Sequence, residues 1–112
     1  MASPIPEVWR KDVVRILRTS SDRQISWTPM AFQRWKTDTF GGWKNEAYDA
    51  MIAALSNESI EGDETTSYEG QAATYQFLFW RGTTRMYGKI ALLKNRISIL
   101  ILSAHRAERD TL

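Results

Sequence analysis

The fold is decided by residues 75–103, which read YQFLFW-RGTT-RMYGKIALL-KN-RISILILS. Three segments rich in β-branched and aromatic side chains, residues 75–80, 85–93 and 96–103, are separated by two polar segments of hairpin length. This spacing predicts consecutive antiparallel strands. We therefore expect a carboxy-terminal β-meander over residues 73–104.

Alternation of side chains along these strands predicts one buried and one open face. The prediction pairs Trp80 with Arg85 and Leu93 with Arg96, and a strand repeats every two residues. The buried face then receives Tyr75, Phe77, Phe79, Met86, Ile90, Leu92, Ile97, Ile99 and Ile101. The open face receives Gln76, Leu78, Trp80, Arg85, Tyr87, Lys89, Ser98, Leu100 and Leu102.

Upstream of the meander, apolar residues repeat with helical period and predict three helices between about residues 6 and 56. A short extended segment is expected at residues 24–27. The second helix is expected to follow it, with Thr28 as N-cap and Pro29 as its first residue. Residues 57–71 are polar and acidic and predict a long loop. The expected fold is one α+β domain spanning residues 1–112, with three N-terminal helices packed on one face of a C-terminal antiparallel meander of three or more strands.

Composition excludes several classes of protein. The 112 residues include no cysteine and only one histidine, so disulfides and thiolate metal sites are excluded and a zinc enzyme is not expected. The apolar runs are shorter than the ~18 residues of a membrane span. The first residues also lack a basic segment followed by an apolar one. We expect a cytoplasmic protein that uses no metal or other cofactor and has no membrane partner.

Charge is segregated along the chain. Residues 1–36 carry a net charge of +4, residues 37–80 carry −7 and residues 81–112 carry +5. Two interpretations remain open. The three segments mix in space and cancel, or the two basic ends meet and form a surface that attracts phosphate.

The open face of the predicted sheet holds the candidate catalytic residues Gln76, Arg85, Tyr87 and Lys89, and His105 follows just past the last strand. Metal-free RNA cleavage requires a base for the 2′-hydroxyl, cations for the phosphate and an acid for the leaving oxygen, and these side-chain types supply all three. Tyr87 and His105 are the expected proton-transfer groups. Nearby cations should favour the ionised form of Tyr87. Candidate RNA-binding residues are Arg81, Arg96, Arg106 and Trp80.

A different interpretation of the same face is a docking surface. Antiparallel strands commonly carry polar residues towards water. Four apolar residues nevertheless share this face, namely Leu78, Trp80, Leu100 and Leu102. They favour either a cover or a bound partner. The alternatives to catalysis are therefore a protein-interaction module, such as an accessory protein of a phage or plasmid, and an RNA-binding domain without catalysis.

The order of elements resembles small bacterial toxins of the RelE, HigB and MqsR type. The resemblance is carried by the stretches Met86-Tyr-Gly-Lys-Ile90 and Ile97-Ser-Ile-Leu-Ile-Leu-Ser-Ala-His-Arg106. The pair Thr65-Thr66 followed by Tyr75-Gln76 fits the order of the MqsR pattern, and His105 stands where the family has a basic catalytic residue.

That resemblance implies an mRNA endoribonuclease, acting on free or ribosome-bound mRNA and neutralised by a protein antitoxin. The lysine that MqsR-type toxins carry before the threonine pair has no counterpart, because Gly62, Asp63 and Glu64 occupy that place. Lys89, Arg85 or Arg81 would have to take its role.

Overall fold

The computed structural model describes residues 2–109 and 111–112, while Met1 and Asp110 lie outside the described residues. The helices are α1 (Glu7–Thr19), α2 (Pro29–Asp38) and α3 (Lys44–Leu55). The strands are β1 (Ser3–Pro4), β2 (Ile25–Trp27), β3 (Glu61–Thr65), β4 (Gln71–Arg81), β5 (Thr84–Leu93) and β6 (Ile99–Arg106).

All strands of the described chain form one mixed sheet of six strands in the order β1-β3-β4-β5-β6-β2. Strand β2 runs parallel to β6, and the other pairs are antiparallel. The predicted arrangement of three N-terminal helices over a C-terminal meander is therefore wrong, because β1 precedes α1 and β2 separates α1 from α2. Strand β1 has two residues, which is too short for a periodic signal. Strand β2 confirms the extended segment expected at residues 24–27, but nothing local predicts that it joins the sheet.

The predicted loop over residues 57–71 is also wrong in part, because it contains β3. This strand pairs with β4 and with β1, so it is not at the edge of the sheet. Its sequence, Glu-Gly-Asp-Glu-Thr, consists of residues that are mostly depleted in strands. Pairing with a long apolar neighbour outweighs that low local preference.

Within the meander, Trp80 pairs with Arg85 as predicted, whereas the predicted pairing of Leu93 with Arg96 is wrong. Leu92 pairs with Ile99 instead, and Arg96 adopts a left-handed conformation in the turn with φ 59°. The error in register is two residues, and a shift of two keeps every side chain on its face. The buried face is consequently as predicted, except that Ile97 lies in the turn and is 56% exposed.

A single hydrophobic core unites this face with apolar residues of all three helices, including Trp9, Trp35 and Tyr48. Helix α2 begins as predicted, with the Thr28 side chain accepting a hydrogen bond from the Ala31 N–H at 3.1 Å. The core lies on the helical side of the sheet, and the opposite side is left for the residues described next. In the part of the chain that the structure describes, no helix has the length and apolar character needed to cross a membrane.

Candidate active site on the open face of the sheet

A β-bulge sets the composition of the open face. Lys89 pairs with Ser103, but the next residue, Ile90, pairs with Ile101, so that Leu102 is an extra residue in β6. Because one added residue reverses the alternation of a strand, the side chain of Ser103 lies on the same face as Lys89. His105 then lies opposite Tyr87 within β6, and not past the last strand as predicted.

Tyr87 lies in the middle of a row of side-chain contacts that crosses four strands. Its ring lies 5.0 Å from the His105 ring between centroids, with an angle of 35° between the planes. The Tyr87 hydroxyl donates to Gln76 Oε1 at 2.6 Å, and Gln76 Nε2 donates to Asp63 Oδ2 at 3.4 Å. The order His105–Tyr87–Gln76–Asp63 follows β6, β5, β4 and β3 across the sheet.

The ring nitrogens of His105 have different partners. Nδ1 lies 2.8 Å from the carbonyl oxygen of Arg106. A carbonyl oxygen only accepts hydrogen bonds, so this contact assigns the proton of the neutral ring to Nδ1. Nε2 of the neutral ring then holds the lone pair, which is the arrangement that a general base requires.

The environment of Tyr87 favours its protonated form. Burial is the main cause that raises the pKa of the Tyr87 hydroxyl, and the negative charge of Asp63 raises that pKa further. The prediction that neighbouring cations favour the ionised hydroxyl is therefore wrong in direction. Tyr87 therefore keeps its proton near neutral pH, so it is available as a hydrogen-bond or proton donor and does not act as a base there.

Two cationic side chains lie on the same face of the sheet as this row of contacts. Lys89 stands in the row next to Tyr87, between Gln76 on β4 and Ser103 on β6. Arg85 stands in the row on the other side, and its guanidinium lies 4.6 Å from the centre of the Trp80 ring, a cation–π contact. Trp80 is 55% exposed, so its ring remains accessible beside this arginine.

The other three arginines singled out in the sequence lie elsewhere. Arg81 and Arg106 pair with Thr84 and Met86, in register with the helical side of the sheet. Arg81 forms an ion pair with Glu46 at 3.3 Å, and Arg96 contacts Asp12 of α1. None of the three is brought next to Tyr87.

Residues 107–109 and 111–112 lie beside the site. Ala107 N–H donates to the Arg85 carbonyl oxygen at 3.0 Å. A cavity of about 310 Å³ lies between this segment and the sheet, and it is lined by Gln76, Leu78, Tyr87, His105, Ala107, Glu108, Arg109, Thr111 and Leu112. Leu78, for which the sequence predicts a cover or a partner, faces the C-terminal residues across this cavity. The candidate proton-transfer groups share a concave site.

Some residues of the site were missed in the sequence. Asp63 was assigned to a loop, and its acidic neighbours give no strand signal. Ser103 reaches the open face only through the bulge, which has no signature in the sequence. The basic residues of α1 do not border the site, because α1 packs on the helical side and Arg15 is bound to Asp12 at 2.8 Å.

Histidine, aspartate and glutamate side chains of the described residues form no group of three or more that is arranged to hold a metal ion. No protein-family model matches the chain, and no curated protein or solved structure matches it significantly.

Proposed function

We propose that the protein is a metal-independent endoribonuclease that cleaves RNA on the open face of the sheet. The observation that carries the proposal is the contact between Tyr87 and His105 in a cavity that also holds Gln76, with Lys89 in the adjacent row. The arrangement provides a base, an acid and a cation within three neighbouring strands. Those are the groups that transesterification at phosphate needs.

The proposed reaction is attack of the ribose 2′-oxygen on the adjacent phosphorus. His105 Nε2 takes the proton of the 2′-hydroxyl as the new O–P bond forms. The bond from phosphorus to the 5′-oxygen breaks, and the Tyr87 hydroxyl turns its proton away from Gln76 Oε1 and gives it to that oxygen. The products are a 2′,3′-cyclic phosphate and a 5′-hydroxyl, and proton exchange with water restores both side chains.

Gln76 and Lys89 have supporting roles in this proposal. Gln76 holds the Tyr87 hydroxyl at 2.6 Å, which fixes its position before substrate arrives. The Lys89 ammonium stabilises the negative charge that accumulates on the phosphate oxygens in the transition state. Of the three cations that are candidates for the missing family lysine, Lys89 is the one that pairs with Gln76, whereas Arg85 lies on the other side of Tyr87.

Expression in a bacterium tests the proposal in its cellular form. Induction of the chain is expected to slow growth and to create new mRNA ends. Tyr87→Phe and His105→Gln are expected to abolish both effects, while Tyr68→Phe, a change of the same kind at an exposed tyrosine, keeps them. Normal growth and intact RNA on induction of the parent chain would contradict the proposal. An antitoxin partner follows only from the resemblance and a cytoplasmic location only from the composition, and both stay predictions.

A second candidate function is a non-catalytic docking module, and the exposed Trp80 with its stacked Arg85 favours it. Aromatic and arginine side chains are enriched at the centres of protein interfaces. In that case Trp80→Ala removes binding of the partner, and Tyr87→Phe leaves that binding unchanged.

A further inference from the structure

The loop between α2 and α3 presents aromatic side chains that the fold does not use. Phe40 is 94% exposed and Trp43 is 80% exposed. Gly41 and Gly42 separate them. Neither ring is part of the hydrophobic core, so their size does not serve the stability of the domain.

The backbone conformation at Phe40 is one that aromatic residues seldom adopt. Helix α2 ends in a Schellman motif, in which Gly41 N–H donates to the Lys36 carbonyl oxygen at 2.8 Å and Phe40 N–H donates to the Thr37 carbonyl oxygen at 3.4 Å. Phe40 occupies the left-handed position of this motif with φ 55°. Glycine is the usual residue there, because a side chain strains the left-handed conformation. Strain at an exposed aromatic residue is a reason to look for a ligand.

A cleft beside this loop combines aromatic rings with positive charge. Its volume is about 440 Å³, and its lining includes Phe32, Trp43 and Tyr48 together with Lys36 and Lys44. The two ammonium groups lie 5.1 Å and 4.9 Å from the centre of the same Phe32 ring. An anion between them would relieve their mutual repulsion.

The amino end of α3 also borders the cleft, and Glu46 of its first turn offsets part of its positive charge by accepting a hydrogen bond from the Trp43 N–H at 2.9 Å. The helix begins at Lys44, and Asn45 of its first turn also lines the cleft. Backbone N–H groups of a first turn carry partial positive charge. Asp22 is the acidic residue of the lining and lies 3.9 Å from the Lys44 ammonium, which leaves Lys36 as the cation of the cleft without an ion pair among the described residues.

We propose that this cleft binds one nucleotide unit of single-stranded RNA, with the base stacked on Trp43 and the phosphate held by Lys36 and Lys44. Exposed aromatic rings interleaved with cations are the common way in which proteins grip single strands. The volume suits a ligand of nucleotide size. The inference rests on the proposed function only for the choice of RNA, since it concerns binding away from Tyr87 and His105.

Binding without cleavage is measured with a fluorescein-labelled 12-residue oligoadenylate in which every sugar is 2′-O-methylated, because such a strand has no 2′-hydroxyl to attack. Trp43→Ala is expected to weaken its affinity on the order of ten-fold. Lys36→Ala should lower the magnitude of the log–log salt slope by about 0.7. Tyr68→Ala and Lys94→Ala, at an exposed aromatic residue and an exposed lysine outside the cleft, should leave affinity unchanged.

Phe40→Gly tests whether the strained residue beside the cleft serves the fold. It relieves the left-handed backbone, so Tm should stay equal or rise. A lower Tm would show that Phe40 serves the fold, and its strain would then be no argument for a ligand beside it. Unchanged affinity in both Trp43→Ala and Lys36→Ala would overturn the proposal and leave the cleft to a partner of another class, such as an acidic protein.

Failure of this inference is distinguishable from failure of the proposed function. Cleavage of unmodified RNA with no effect of the cleft variants on binding would overturn the cleft alone. Loss of binding in the cleft variants of a protein that cleaves no RNA would support the cleft and contradict the endoribonuclease.

Discussion

His105 lies directly opposite Tyr87 across β5 and β6 because Leu102 is an extra residue in β6. Without the bulge, with Leu102 as an ordinary residue of the strand, alternation from Ile101 would place His105 on the helical side of the sheet. The bulge thus joins the single histidine of the chain to the one tyrosine that is hydrogen bonded to Gln76. Bulges are frequent next to active sites, where they redirect a side chain.

The core on the helical face is tested by a matched pair of isoleucines. Ile99 is fully buried and Ile97, two residues earlier, is 56% exposed. Ile99→Ala should lower the free energy of unfolding by about 2–5 kcal/mol, because it leaves a cavity. Ile97→Ala should cost less than about 1 kcal/mol. Urea denaturation of both variants measures the difference, and equal losses would show that the register is wrong.

The pairing of β3 with β4 is tested at Gly62. A Cβ atom there would lie 2.4 Å from the Gln76 carbonyl oxygen and 2.8 Å from Ile5 Cδ1. Gly62→Ala should therefore destabilise the protein by about 1–3 kcal/mol, since the strands must move apart. Glu64→Ala, at an exposed position of the same strand, should change stability by no more than about 0.5 kcal/mol. A neutral Gly62→Ala would argue against β3 as a strand of this sheet.

Comparison of the predicted with the observed strands shows which features of the fold the sequence reveals. The long apolar strands reveal their buried face, and a register error of two residues at Arg96 does no harm because strands repeat every two residues. Arg81 follows Trp80 directly, so alternation already predicts that it leaves the open face. The short strands β1 and β2, the acidic β3 and the bulge at Leu102 depend on pairing with distant residues, and local patterns do not encode that pairing.

The ion pairs of Asp12 with Arg15 and Arg96 are tested by the pH dependence of stability. Asp12 is bound by Arg15 and Arg96. Burial raises the pKa of the Asp12 carboxyl, but the hydrogen bonds and charges of the two arginines outweigh burial and hold that pKa below its ordinary value. The stabilisation is therefore complete above the unfolded pKa, near ~3.9, and is lost as the pH falls through the lower folded value.

Melting curves of the parent and of Asp12→Asn should thus differ most at pH ~7 and converge near pH ~2. Asp49→Asn, at an exposed carboxylate of α3, serves as the control and should show no such convergence. A constant difference in Tm across this range would mean that the Asp12 network contributes nothing through its charge.

The proposed role of Lys89 is tested by comparing alanine substitutions at two lysines. Lys89→Ala should lower the rate of RNA cleavage by about 10²-fold, because it removes a charge that stabilises the transition state. Lys94→Ala, in the turn that follows the same strand, should leave the rate unchanged. Single-turnover rates at saturating protein measure both. Equal rates for the two variants would remove Lys89 from the reaction.

The most direct test of the account is a double-variant cycle on Tyr87 and His105 with purified protein. The rate at which 2′,3′-cyclic phosphate ends form is measured in EDTA for the parent, Tyr87→Phe, His105→Gln and the double variant. Each single change should reduce the rate ~10²–10⁴-fold, as loss of a general acid or base does. The rate of the double variant should be close to that of the slower single variant. It should not fall by the product of the two single losses, because the effects of residues that act as a unit are not additive. Parent-like rates in both single variants, with Tm unchanged, would contradict the claim that this pair performs the chemistry.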